Sequence, residues 1–263
     1  PANEKLMICG HSMPSPISSR INSMSDLELC YLPATEAIAR FKAKTLSPVE
    51  LLNALIRRAE QVEPVINAFT YRHFDEAMDK ARKAEAKYAS GKRTRALEGL
   101  PIGIKDENFI KGKPTSSGSL IMKDFVADKT SVGNERILRA GGIVHARTAT
   151  PEFSSAGYTN SRLWGVTRNP WNSEFTPGGS SGGTAASLAA GTSAIATGSD
   201  IGGSIRIPAG ACGLVGYKPP YGRNSDDPPF NLDFYCHTGP LARNVSDAIA
   251  LQNVMCGPHP RDV

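Results

Sequence analysis

Two glycine clusters that each carry a serine hold the residues best suited to covalent chemistry. The first is Gly178-Gly179-Ser180-Ser181-Gly182-Gly183; the second, Asp200-Ile201-Gly202-Gly203-Ser204-Ile205-Arg206, follows after the length of a helix and a strand. Glycine lacks a Cβ, accepts unusual dihedrals and leaves its N–H accessible, which is what a serine nucleophile beside an oxyanion hole requires. One such cluster alone reads as a tight structural turn. Two of them, with a buried-looking lysine upstream, read as a site. Lys105 ends the apolar run Leu100-Pro101-Ile102-Gly103-Ile104. A lysine that emerges from a strand into a desolvated interior has a lowered pKa, so its neutral amine can act as a base. The position suits equally a lysine paired with Asp106 or Glu107 at a strand edge, and the sequence leaves the two readings open.

Two rival motifs fail. A phosphate loop needs Gly-x-x-x-x-Gly-Lys-Ser/Thr, and neither cluster carries the lysine. Gly178 to Gly182 spells the Gly-x-Ser-x-Gly nucleophile elbow, but an elbow serine follows a buried strand, whereas Glu174-Phe175-Thr176-Pro177 is polar and broken by proline. The histidine an elbow needs would be His237 or His259, both in loop-like sequence. What is left is a serine hydrolase whose base is not histidine, with Lys105 as the candidate.

The elements that must position these residues read as α/β. Ser47, Pro48 and Glu50 form a capping box with proline at the first helical position, and Val49, Leu52, Leu55, Ile56, Ala59 and Val62 keep a helical period until Pro64 is expected to stop it. A second helix is expected from about His73 to Ser90, with Gly91 as its stop. Beyond Gly99, short apolar runs alternate with glycine-rich turns. Leu100 to Ile104 and Ile143 to Ala146 read as strands; Val132 to Ala140, Gly183 to Ala190 and Val245 to Met255 read as helices. Asn224 to Phe230, with two acids and two prolines, reads as a surface loop.

Composition narrows the class further. The chain has 263 residues, 40% hydrophobic and 21% charged, which is globular composition. No apolar stretch approaches the roughly 20 residues a membrane-spanning helix needs. Leu6-Met7-Ile8-Cys9 is a short apolar patch without a basic flank, so no signal peptide is expected. Cys9, Cys30, Cys212, Cys236 and Cys256 are odd in number and contain no Cys-x-x-Cys pair, which points to a reducing, cytoplasmic compartment and to no structural metal. The net charge of +5 comes from scattered basic residues. The densest runs, Arg57-Arg58 and Lys92-Arg93 with Arg95, are short and lack interleaved aromatics, so nucleic-acid binding is not expected.

Together, Gly178 to Gly183, Asp200 to Ala209 and Gly99 to Asp106 resemble the amidase signature family. Asn169-Pro170-Trp171-Asn172, Cys212 to Pro219 and Gly239-Pro240-Leu241-Ala242-Arg243 agree with it, and the resemblance runs from about residue 35 to 262. It implies a mixed, twisted sheet flanked by helices, a Ser-Ser-Lys triad and no cofactor or metal. Carried over by position, Ser204 is the acyl-forming nucleophile, Ser180 the bridging serine in a cis peptide after Gly179, and Lys105 the terminal base. The N–H groups of Ile201, Gly202, Gly203 and Ser204 would form the oxyanion hole. Ser181 would support the loop, and Asp200 with Arg206 would hold the nucleophile turn. Ser154 matches a position that faces substrate in relatives. A neutral-to-alkaline optimum follows, because the base must be uncharged.

The resemblance divides the chain into an N-terminal extension (1–34), a helical segment (35–92) and an incomplete catalytic core (93–263). Family members generally continue well past the position of Asp262, so a second chain carrying the rest, or self-association, is expected to cover exposed apolar surface. Arg147, where the family often has lysine, and Pro220 are departures outside the triad. The implied activity is hydrolysis of a small-molecule carboxylic amide through an acyl-enzyme. Two alternatives stand beside it: the glutaminase-type subunit of an amidotransferase, and a truncated homologue without activity. Ile207, where the amidotransferase branch tends to carry glutamine, favours a free-standing hydrolase.

Overall fold

The computed structural model describes residues 24–228 and 230–262. The apolar patch Leu6-Met7-Ile8-Cys9, and with it the signal-peptide reading, lies outside the described residues.

Three helices open the described fold. Helix α1 (Asp26–Tyr31) starts at a Ser25/Glu28 capping box, α2 (Ala34–Ala43) follows directly, and α3 (Pro48–Ile66) starts at the expected Ser47/Glu50 box. Pro64 does not stop α3. It falls in the last turn, where one lost hydrogen bond matters little, and burial of Ile66 carries the helix on to a left-handed cap at Asn67. Helix α2 has no side-chain cap of its own from Pro33. The buried carboxylate of Asp247 caps it instead, accepting from the N–H groups of Ala34 and Thr35 at 2.8 Å each.

Next come strand β1 (Phe69–Arg72), helix α4 (Phe74–Ala89) and strand β2 (Pro101–Lys105). Helix α5 (Val132–Arg139) leads to β3 (Ile143–Thr148), and a small ribbon pairs β4 (Asn160–Ser161) with β5 (Gly165–Val166). Helix α6 (Gly182–Ala189), β6 (Ile195–Asp200), α7 (Arg206–Cys212), β7 (Val215–Gly216), β8 (His237–Ala242) and α8 (Val245–Met255) complete the order.

The main sheet has the order β1-β3-β2-β6-β8-β7 and is mixed, as the family resemblance implied. Strands β3, β2 and β6 run parallel at its centre, while β1, β8 and β7 pair antiparallel. Ile102 and Ile104 face a core built with Leu51, Leu55, Ile137, Leu251 and Met255. On the other face, Ala185 and Leu188 of α6 pack with Ala196, Ile205 and Leu241. Strand alternation therefore turns Lys105 away from the Ile102/Ile104 core.

The loop reading of Asn224 to Phe230 is corrected in part. Asn224 and Ser225 are buried, and the Asn224 amide donates to the Thr238 carbonyl and exchanges hydrogen bonds with Gln252. Their polarity serves internal hydrogen bonds rather than water.

Candidate active site

The first glycine–serine turn is sealed. Every residue from Pro177 to Leu188 is buried, and a cis peptide joins Gly179 to Ser180. No strand runs directly into Ser180, which rules out the elbow reading. A Cβ on Gly179 would lie 2.6 Å from the backbone nitrogen of Tyr158, so this position admits only glycine without displacing backbone. The Ser181 hydroxyl donates to the Ser199 carbonyl at 3.3 Å, and the Ser181 N–H donates to the Ser204 carbonyl at 3.1 Å. The second of these bonds ties the two turns together.

Lys105 reaches into this turn. Its side chain has no solvent exposure, and Nζ donates to Ser180 Oγ at 2.7 Å and to Ser199 Oγ at 2.8 Å. Glu107 Oε1 lies 3.3 Å from the same nitrogen. The two readings of Lys105 are therefore not exclusive: it meets the serine and an acid together. Burial lowers the lysine below its ordinary value, and Glu107 draws it partly back. Burial alone would raise Glu107, but the Lys105 charge and the Ser154 and Ser199 hydroxyls hold its carboxyl below the ordinary range. Asp106, the other acid considered for Lys105, faces Arg147 at 3.6 Å.

The second turn is half open. Ile201 and Gly202 are exposed, Ser204 is half-buried and Gly203 has φ +123°, a conformation glycine alone adopts readily. One carboxylate organises it. Asp200 accepts from the N–H groups of Gly203 at 2.7 Å, Ile205 at 3.1 Å and Arg206 at 3.2 Å, and from the Arg206 guanidinium through two bonds of 2.9 Å. Lys218 approaches it at 3.4 Å and donates to the Ile201 carbonyl at 2.9 Å. Burial would raise Asp200, but the Arg206 and backbone donors outweigh it and hold the carboxyl far below its usual range.

The structure thus brings Lys105, Ser180, Ser181, Ser204, Asp200 and Arg206 into one connected region. Three expectations change in detail. The Gly203 N–H is committed to Asp200, whereas the N–H groups of Ile201, Gly202 and Ser204 meet no acceptor among the described residues. Ser154 turns its hydroxyl to Glu107 and to Thr150 Oγ1, the latter at 2.8 Å. No hydrogen bond joins Ser204 Oγ to Ser180 Oγ among the described residues. Sequence reasoning missed Ser199, Lys218 and the role of Arg147, whose guanidinium donates to the Lys105 carbonyl at 3.2 Å and to that of Asn108 at 2.6 Å. An arginine inside an apolar strand was the available signal. His237 bonds the Phe234 carbonyl, and His259 lies 3.8 Å from Glu135, so neither serves the serines.

Among the described residues, no helix is long and apolar enough to cross a membrane, and no group of three or more His, Cys, Asp or Glu could hold a metal ion. Cys30, Cys212, Cys236 and Cys256 form no disulfide.

A buried lysine meets a serine in a glycine-rich turn, set on a mixed sheet beside a second such turn, and residues 50–263 match the Amidase family. The chain belongs to that family. It is 40% identical over 240 residues to a glutamyl-tRNA(Gln) amidotransferase subunit from Carboxydothermus hydrogenoformans, covering 90% of this chain and 49% of the relative. Among solved structures, a bacterial aryl acylamidase of the amidase signature family superposes with a TM-score of 0.84 at 34% identity, over 88% of this chain and 49% of that one. The 6-aminohexanoate cyclic dimer hydrolase, bound to its substrate, gives 0.81 at 35% identity over 89% and 48%. The chain spans about half the length of the curated relatives it matches.

Proposed function

We propose that this chain carries the acyl-forming machinery of an enzyme that hydrolyses a small-molecule carboxylic amide. The observation that carries the reading is the 2.7 Å contact between Lys105 Nζ and Ser180 Oγ at a site without solvent exposure. Neutral Lys105 takes the Ser180 proton as Ser180 takes that of Ser204, whose oxygen attacks the amide carbon. The N–H groups of Ile201, Gly202 and Ser204 hold the developing oxyanion. The relay then returns its proton to the departing amine, and water releases the acyl group from Ser204. The step needs a Ser180–Ser204 hydrogen bond in the reacting complex, where such bonds commonly tighten. Residues 93–263 carry this chemistry, residues 35–92 form a scaffold against it, and a reducing compartment suits the unpaired thiols.

A fluorophosphonate probe tests the reading. One adduct by intact mass, lost in Ser204→Ala, supports it; a folded, unlabelled protein overturns it in favour of a homologue without activity. Native mass reports whether a second chain or a second copy accompanies this one. The 40% identity to a glutamyl-tRNA(Gln) amidotransferase subunit supports a second reading, glutaminase action within a larger assembly. Ammonia release from glutamine, only in the presence of partner subunits, distinguishes it from turnover of simple amides by this protein alone.

A further inference from the structure

Lys105 is fully buried, and its only acid within ion-pair distance among the described residues is Glu107, at 3.3 Å. Glu107 keeps 20% of its side chain accessible, so it is the titratable group that touches both the buried amine and water. Its other carboxylate oxygen accepts the Ser154 hydroxyl, which is itself fixed by Thr150, so the acid is anchored rather than free to swing. Neighbouring elements offer no substitute. From β3, Arg147 faces Asp106 and its guanidinium donates to the Lys105 carbonyl. From β6, Asp200 is taken by Arg206, Lys218 and three backbone donors. Ahead of β8, burial pushes the Cys236 thiol up to about 12, and burial likewise lifts Asp226 to about 7.

We infer that Glu107 is a positioning residue that sets the proton inventory of the base: the resting site is a Lys105 ammonium–Glu107 carboxylate pair, and the amine becomes available only when that pair loses its proton to solvent through Glu107. The inference rests on the proposed Ser204 chemistry. It makes the acid limb of reactivity a property of the pair, since an opposite charge at this distance holds the proton on lysine.

The test is the pH dependence of fluorophosphonate labelling in the full chain with any chain that co-purifies. In that reaction the Ser204 Oγ–phosphorus bond forms, the phosphorus–fluorine bond breaks and fluoride leaves. The Ser204 proton passes through Ser180 to Lys105. Removing the carboxylate charge in Glu107→Gln is expected to move the acid limb down by at least about one pH unit while the Ser204 adduct remains. Glu107→Asp, which withdraws the carboxylate by one methylene, is expected to move it less and in the same direction, and serves if the glutamine variant does not fold. A limb that stays in place in a folded variant overturns the inference and leaves the Ser204 reading intact. A wild-type protein that takes no adduct at Ser204 at any pH overturns both. A purely structural Glu107 would lower the amplitude at every pH without moving the limb.

Discussion

The two glycine–serine turns carry the same kind of residue and are held by different physics. The Gly178–Gly183 turn is fixed by packing: its backbone is buried, and a Cβ on Gly178, Gly179 or Gly183 would run into the backbone of another segment. The Asp200–Arg206 turn is fixed by one carboxylate gathering three N–H groups and a guanidinium, with half its length open to solvent. In the proposed chemistry, the serine that relays protons needs a dry, immobile setting, whereas the serine that attacks must meet its substrate. Each turn is therefore sensitive to what the other tolerates.

The largest effect tests whether the sealed turn takes part in the chemistry at all. Lys105→Met keeps an unbranched side chain of similar volume and is expected to cut the labelling rate of Ser204 by roughly 10⁴-fold or more with the fold retained. Labelling at the wild-type rate would reduce the first turn to scaffold.

Gly183→Ala attacks the packing. Its Cβ would lie 2.3 Å from the Ala149 nitrogen and 2.6 Å from the Ala149 oxygen. Backbone must move, and a loss of about 3 kcal/mol in denaturant unfolding is expected. A loss below about 1 kcal/mol would show that packing does not hold this turn.

Asp200→Asn attacks the other turn. Losing the charge that Arg206 and the N–H groups share is expected to slow labelling roughly 100-fold by displacing Ser204. Stopped-flow labelling beside a melting curve would expose the reverse pattern, a large stability loss with an intact rate.

The smallest effect sharpens the contrast through pH. Glu63 is a buried carboxylate that accepts from Ala68 N at 3.0 Å and Phe69 N at 2.9 Å, with no cation bonded to it among the described residues, and burial raises its pKa to about 7. The folded state thus keeps this proton where the unfolded chain has lost it, and stability falls as pH rises from about 4.5 to about 7. Asp200, held low, behaves oppositely: its contribution is complete above the unfolded carboxylate range and is lost as pH falls through and below it. Glu63→Gln is expected to gain about 2 kcal/mol at pH 8 relative to pH 4.5, measured by urea unfolding at both.

Legibility in the sequence followed the range of the forces involved. The start of α3 was readable because Ser47, Pro48 and Glu50 act on one another locally, and α8 matched its expected span. Strand β1 was not, since the alternation of Phe69, Thr70, Tyr71 and Arg72 is too short to establish a strand without its pairing to β3. Strand β8 was hidden by Pro240, which has no N–H to give; its carbonyl accepts from Tyr217 N, so the pairing survives. For the site, the serine clusters and Lys105 stood out by composition. Their meeting did not: Lys105 and Ser180 are 75 residues apart in sequence. Glu107 was visible only as one of two neighbouring acids, and which one turns toward the amine depends on Arg147 occupying Asp106.

Asp247 has a consequence for how the chain reaches this state. Its carboxylate caps α2 across 213 residues, so that helix gains its N-terminal cap only once the first turn of α8 exists. During synthesis α2 must wait, uncapped, while all the strands of the main sheet emerge between it and its capping group. The amides of Ala34 and Thr35 are then among the last to become protected in a folding experiment, though they are made long before the carboxylate that protects them.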